Sequence, residues 1–244
     1  MEILIGLVIG FAIGTTGVGA GTLTAPALIL VVGLSPRTAV ATALIFSTAV
    51  KVWASAFYAF RRQIDFKVLG HMLIGGIPGA LSGALFLQHL RNGTFDTWIM
   101  GTVGALVVIT SVSSMLYAGR RAQTAPRLNS LPILTLPIGL ETTFSSAGAG
   151  ALGTIVLFNF TALAPAVVVG TDLLFGLLVS AIGAAVNIIA GNYAWIILVK
   201  LVPAGIVGTL AGSSVARKLP SQTLRTVVLL CAASVGVVLL YKSL

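Results

Sequence analysis

The amino-acid sequence predicts an all-α polytopic membrane protein made of two inverted repeats, each a broken or re-entrant helix pair plus three transmembrane helices. Three observations carry this expectation. The 244 residues are 57% hydrophobic and only 8% charged, with a mean hydropathy of +1.10, whereas a soluble domain carries about a quarter charged residues. Eight apolar segments follow one another, and the first and fifth are too long and too rich in small residues for single spans. The second half of the chain repeats the first at an offset of 129 residues, without a gap.

The apolar segments fall at about 2–33, 38–60, 67–89, 95–118, 131–161, 165–190, 194–216 and 223–241. Six are 19 to 26 residues long, close to the roughly 20 residues a helix needs to cross a bilayer. The first and fifth each run about 31 residues, or roughly 46 Å as one straight helix. Each is interrupted, by GTTGVGAGTLTAP from Gly14 to Pro26 and by TTFSSAGAGA from Thr142 to Ala151. Two half-helices around an unwound turn are expected in both. The first segment lacks a basic leader region and is expected to be mature structure. A polar linker at 120–130, carrying Pro126, separates a first repeat (1–119) from a second (131–244) within one membrane domain.

The repeat rests on matched landmarks. Gly19-Ala20-Gly21 falls on Gly148-Ala149-Gly150, Pro36 on Pro165, Thr42 on Thr171, Phe46 on Phe175, and Gly76, Gly79 and Gly83 on Gly205, Gly208 and Gly212. Between 14 and 90 there are 20 identities in 77 positions. Charge orients the halves. If all eight segments span, the basic residues outside the membrane divide eight against five. If the first and fifth re-enter, Arg61, Arg62, Lys67, Arg120, Arg121, Arg127, Arg217, Lys218 and Arg225 share one side. Only Arg37, Arg91, Lys200 and Lys242 then oppose them. The second arrangement follows the positive-inside rule more closely, and its three full spans per half make the halves inverted. Phe66 and Trp195, aligned at the start of the third segments, read as interfacial anchors.

Irregular backbone at membrane depth must be buried in protein or line a cavity. A break also leaves a helix N-terminus inside the membrane, whose free N–H groups and positive dipole end hold anions. Thr15, Thr16, Thr22 and Thr24 add hydroxyls in the first half, and Thr142, Thr143, Ser145 and Ser146 in the second. Close helix packing through small residues is the competing reading. It is the expected one for Gly75, Gly76, Gly79, Gly83, Gly205, Gly208 and Gly212, which lie in unbroken segments. Lys51 sits near the middle of the second segment, and its counterpart is Ser180. A charge there is a functional candidate and suits an anionic substrate; snorkelling, or a structural pair with Asp172, is the alternative. Asp172 could pair with Lys51, accept a coupling proton, or simply favour a helix start. Glu141, just before the second break, reads equally as a site residue or as a lumen-exposed one. Asn187 is expected to make an interhelical hydrogen bond rather than a ligand contact.

Other functions find little support. The net charge of +9 fits loops that orient membrane helices, not a nucleic-acid surface. Cys231, His71 and His89 have no ligand-spaced partners, so neither a metal nor another cofactor is expected. No nucleophile–base constellation points to an enzyme, and no ATP-binding motif points to a primary pump.

The stretches GTTGVGAGTLTAPALIL, LSPRTAVATALIFS, RRQIDF and GGIPGALSGALF, with a weaker second copy from Gly148 to Gly212, resemble the sulfite exporter TauE/SafE family over nearly the whole chain. The resemblance implies movement of an anionic sulfur compound (sulfite, thiosulfate or an organosulfonate such as sulfoacetate) across the cytoplasmic membrane. It also implies that the glycine turn Gly17, Gly19 and Gly21, with Thr42 and Ser47, lines the substrate site. The chain departs from the family turn Gly-x-Gly-Gly-Gly by reading Gly19-Ala20-Gly21-Thr22, and the second copy has Ile155 where the first has Pro26. The expected site then comprises Thr16, Gly17, Gly19, Gly21, Thr22, Thr42, Ser47 and Lys51 from the first half. The second half gives Ser145, Ser146, Gly148, Gly150 and Thr171, and Asp172 or Glu141 would couple a proton or sodium ion. The expected function is a lipid-embedded secondary transporter working by alternating access. An anion channel on the same scaffold, or a non-transporting assembly partner, is the alternative.

Overall fold

The computed structural model describes residues 2–16, 21–89, 96–116, 127–146, 150, 152–215 and 221–243. Among these, ten α-helices form. They are α1 (Glu2–Thr16), α2 (Gly21–Ala27), α3 (Pro36–Phe60), α4 (Phe66–His89), α5 (Asp96–Leu116), α6 (Leu131–Ser145), α7 (Leu152–Phe160), α8 (Pro165–Ile189), α9 (Trp195–Val215) and α10 (Ser221–Lys242). Five of them, α3, α4, α5, α8 and α9, are long and apolar enough to cross a membrane. The described part of α10 is a shorter apolar helix, Thr226–Lys242.

Local chemistry sets the boundaries. Ser35 caps α3 by accepting from Thr38 N (3.4 Å), and Pro36 opens the helix, where its missing N–H costs nothing. Pro165 opens α8 in the same way. The Asp65 carboxylate accepts from Val68 N (2.9 Å) at the start of α4. After α2 the chain passes through a π-helical turn, Leu28–Val32, which stops at Gly33 with φ 77°, a left-handed conformation that glycine adopts without strain. Both overlong segments are interrupted: α1 and α2 are separate helices, as are α6 and α7.

Contact registers give the directions of the helices. α3 and α8 run antiparallel: Leu44 lies against Gly183, Thr48 bonds Ser180, Lys51 bonds Gly176, and Tyr58 lies against Gly170. α4 runs parallel to α8, because Asp65 N donates to Thr171 Oγ1 and Gln88 Nε2 donates to Val186 O. α9 runs parallel to α3, with Ala194 N donating to Thr42 Oγ1 and Gly205 set against Phe46 and Val50. α6 lies parallel to α4: Gly75, Gly79 and Gly83 meet the carbonyls of Pro132, Leu136 and Leu140. α1 lies parallel to α9, with Gly6 and Gly10 against Leu201 and Gly205. α5 and α10 are antiparallel, since Gly101 faces Ser243 and Gly104 faces Gly236.

α1 and α3 both run parallel to α9, so the chain doubles back between them through α2. Likewise α6 and α8 both run parallel to α4, so α7 is the return leg. At about 22 Å for 15 residues, α1 and α6 are each shorter than the roughly 30 Å hydrocarbon core. Phe46 and Phe175, both fully buried, fill the centre against Gly205 and Gly76. Phe66 and Trp195 are exposed, at 70% and 66%.

The hydroxyls of Thr42 and Thr171 each accept a backbone N–H at the start of a helix of the other half, at 3.0 Å. Removing either should leave that N–H unpaired, at a cost of about 1–3 kcal/mol. Thr42→Val and Thr171→Val are each expected to lower the melting temperature in detergent by several degrees. An unchanged melt for both would show that these bonds hold nothing.

Candidate functional site

Buried polar side chains concentrate where α3 crosses α8. On α3, Ser47, Lys51 and Ser55 recur every four residues and so share one face. They are 1%, 2% and 3% exposed. Among the described residues the Lys51 ammonium makes a single hydrogen bond, to Gly176 O at 3.4 Å, although it carries three N–H donors. The hydroxyls of Ser47 and Ser55 are sealed from solvent and have no hydrogen-bond partner there. This face therefore holds unused donors, two N–H groups of the ammonium and the two serine hydroxyls.

On α8 the opposing groups are Asp172, Gly176 and Ser180. Ser180 Oγ donates to Gly176 O (2.6 Å), the same carbonyl Lys51 approaches, and Thr48 Oγ1 donates to Ser180 Oγ (3.2 Å). The Asp172 carboxylate is 2% exposed and acts electrostatically on Lys51. Its Oδ2 accepts from Thr154 Oγ1 at 2.6 Å. Its Oδ1 lies against Gly153, where a Cβ would collide with it. The first turn of α7 thus holds a carboxylate of the protein itself. At an offset of 129 residues Asp172 and Thr154 align with Ala43 and Ala25, both fully buried.

At the second break, Ser146 ends α6 in a left-handed conformation (φ 66°), its N–H bonded to Thr142 O. Its hydroxyl is buried and has no partner among the described residues. Ser145 Oγ donates to Glu141 O (3.0 Å). Gly150 follows with φ 104°, and its carbonyl accepts from Thr154 Oγ1 (3.0 Å). The Glu141 side chain is 6% exposed, and its Oε1 has no partner among the described residues.

The family model described as sulfite exporter TauE/SafE matches residues 2–239. The chain belongs to the sulfite exporter TauE/SafE family. It is therefore a multi-pass membrane protein of a transporter family, not an enzyme. Two Bacillus subtilis (strain 168) proteins are similar over nearly their whole length. "Probable membrane transporter protein YjnA" is 29% identical, covering 91% of this chain and 92% of its own. "Probable membrane transporter protein YunE" is 22% identical, over 99% and 97%. A shorter stretch, 81 residues at 33% identity, resembles the undecaprenyl-diphosphatase of Mycolicibacterium vanbaalenii, over 32% of this chain and 29% of that one. No solved structure matches.

The structure of this TauE/SafE chain sorts the expected site residues. Ser47 and Lys51 share the buried face of α3 that packs on α8, and Asp172 is buried on α8. Ser145, Ser146, Gly150 and Glu141 lie together at the second break. Thr22 is fully buried in α2. Thr42 and Thr171 are fully buried too, but their hydroxyls serve helix starts, and Thr42 also donates to Thr38 O (2.6 Å). Gly17, Gly19 and Gly148 fall outside the described residues, while Thr16 closes α1 and Gly21 opens α2. One expectation is corrected: Asn187 Nδ2 donates to Gly183 O within α8 (2.8 Å), not between helices. A carbonyl one turn back lies within reach of the short amide, so no partner helix is needed. Ser55 and Thr154 escaped the sequence reading. Ser55 was findable as the residue one turn beyond Lys51; nothing in the sequence singles out Thr154.

Proposed function

We propose that this chain is a secondary transporter for a small sulfur-containing oxyanion (sulfite, thiosulfate or an organosulfonate), working by alternating access in the cytoplasmic membrane. The observation that carries the reading is the buried Ser47–Lys51–Ser55 face, where two hydroxyls without partners among the described residues flank a cation with N–H groups to spare. An oxyanion supplies several acceptors and a compensating charge. Membership of a family described as sulfite exporters supports the sulfur oxyanion as cargo. The threonine and serine hydroxyls and the glycines of the two breaks, including Thr16, Thr22, Ser145, Ser146 and Gly150, complete the proposed site. Thr42 and Thr171 act as helix-start anchors beside it.

The scaffold we propose for this motion is a pair of inverted halves, 1–119 and 131–244, joined by a linker. The support is the matched helix bounds and the exchanged contacts at the offset of 129. α1 and α6 are offset by that amount, as are α3 and α8. The Gly76–Phe175 contact is answered by Phe46–Gly205, and Asp65–Thr171 by Ala194–Thr42. Helices related by the offset run in opposite directions: α3 against α8, α4 against α9, α5 against α10. Each half then offers a re-entrant hairpin and three spans. Interrupted helices at a repeat interface are a recurrent plan for substrate sites in secondary transporters.

The test is uptake of labelled sulfite, thiosulfate, sulfoacetate and sulfate into proteoliposomes. Saturable flux of one sulfur anion, with exchange for unlabelled anion inside, is the expected result. Unsaturable conductance without exchange would make the chain a channel. Absence of flux for all four would reject the proposed cargo.

A further inference from the structure

We propose that Glu141 is a proton-binding site in the membrane interior whose protonation couples anion movement to a pH gradient; this rests on the transport reading above. Glu141 lies ten residues into α6, about 15 Å along its axis, or about half the depth of a hydrocarbon core of roughly 30 Å. It is 6% exposed, and its Oε1 is sealed without a hydrogen-bond partner among the described residues. Its counterpart in the first half is Ala12, so the repeated fold does not require a carboxyl there.

Among the described residues no cation answers it. On α4 the basic groups are Lys67 and His71 near the start and His89 at the exposed end, while the register places Glu141 beside Gly83. On α3 the charged groups are Arg37 in the first turn and Lys51, which bonds Gly176 O; Tyr58 is a further titratable group near its end. On α5 the only one is Asp96 in the first turn; α2 and α7 carry none. None of these makes a hydrogen bond or ion pair with Glu141. An ionised carboxylate without a partner at this depth costs several kcal/mol, so the resting form carries a proton.

Of the two embedded carboxyls, Asp172 on α8 is already held by the Thr154 hydroxyl and by the charge of Lys51. Glu141 alone is left to gain or lose a proton. It also stands one turn before the break, and Ser145 Oγ donates to its carbonyl. Any rearrangement of the break that admits water would therefore change its exposure, which links proton release to the state of the site. A lone carboxyl suits a proton, whereas a sodium ion needs a cage of several oxygens.

Two measurements test this. Infrared spectra of purified protein at neutral pH should show the carbonyl band of a protonated carboxylic acid in wild type, missing in Glu141→Gln. A band unchanged by the substitution overturns the proton site. In proteoliposomes, thiosulfate is the probe, because it stays fully ionised near neutrality and does not itself respond to the gradient. Wild type should accumulate it under a pH gradient and exchange it at equal pH. Glu141→Gln should keep exchange within about twofold while accumulation falls to the level without a gradient. Accumulation undiminished in Glu141→Gln, or driven by sodium and not by pH, overturns the coupling. Should Glu141→Gln lose exchange as well, the infrared comparison decides. Should wild type not exchange thiosulfate, the transport reading fails for that anion, and the infrared comparison still tests the proton site.

Discussion

Lys51→Ala is expected to lower saturable anion flux at least about 30-fold, the equivalent of about 2 kcal/mol, the lower end of the cost of truncating one partner of a buried charged pair. Lys51 is the cation of the buried α3–α8 crossing, and its flanking hydroxyls, Ser47 and Ser55, have no hydrogen-bond partner among the described residues. Without the ammonium, an oxyanion entering this face would meet two neutral donors and the Asp172 carboxylate, which repels it. A purely structural pair between Lys51 and Asp172 would also make Lys51→Ala deleterious, by stranding the carboxylate. The double variant Lys51→Ala/Asp172→Asn separates the two. It removes both charges, so the folded protein should recover its thermal stability. Flux should stay low if Lys51 holds substrate. Recovery of flux along with stability would reduce Lys51 to a partner for Asp172 and move the site to the breaks.

Much of this arrangement is legible in the sequence because membrane physics leaves few options. A 31-residue apolar segment with small residues at its centre cannot be one straight span, and the helices do separate at 16–21 and 145–152. Lys51 and Asp172 stand out because a charge in an apolar run has to be answered by something. Their relative placement is less legible. Which faces of α3 and α8 touch depends on crossing geometry that periodicity does not encode, and each helix is more than half buried, so no face is marked as outward by composition. The roles of Thr42 and Thr171 were hidden for a similar reason. A threonine at a fixed place in both halves signals a shared task, but a helix-start bond across halves and a substrate contact leave the same mark. The seating of the Asp172 carboxylate against the first turn of α7 is not legible, since its partner Thr154 stands where the offset of 129 residues gives Ala25.

Gly79→Val and Gly208→Val should each abolish recovery of folded protein, judged by a monodisperse peak in detergent, while Gly70→Ala should be neutral or slightly stabilising. All three glycines lie in unbroken helices, so propensity alone would favour every substitution. The difference is space. A Cβ at Gly79 would collide with Leu136 O and one at Gly208 with Leu7 O, whereas nothing lies within 4 Å of a Cβ at Gly70. Those carbonyls belong to helix backbones and cannot swing aside as a side chain would, so α6 would have to lift from α4, and α1 from α9. Inserting a single methylene into a packed core already costs about 1–3 kcal/mol, and valine adds three carbons against a rigid wall. In lipid no hydrophobic force would bring the helices back together, because packing itself drives their association. The short helices α1 and α6 also stop short of a full span, and backbone groups freed at membrane depth must stay buried in protein. Loss of docking would therefore strand unpaired backbone groups as well as contacts. A folded, monodisperse Gly79→Val would show that α6 can shift along α4. That outcome bears on mechanism, since docking of this closeness makes α6 move with α4 and α1 with α9. Each hairpin would then travel with a span from the opposite half, and relative motion in transport would fall between the α1–α9 and α4–α6 pairs, across the α3–α8 crossing that holds Lys51.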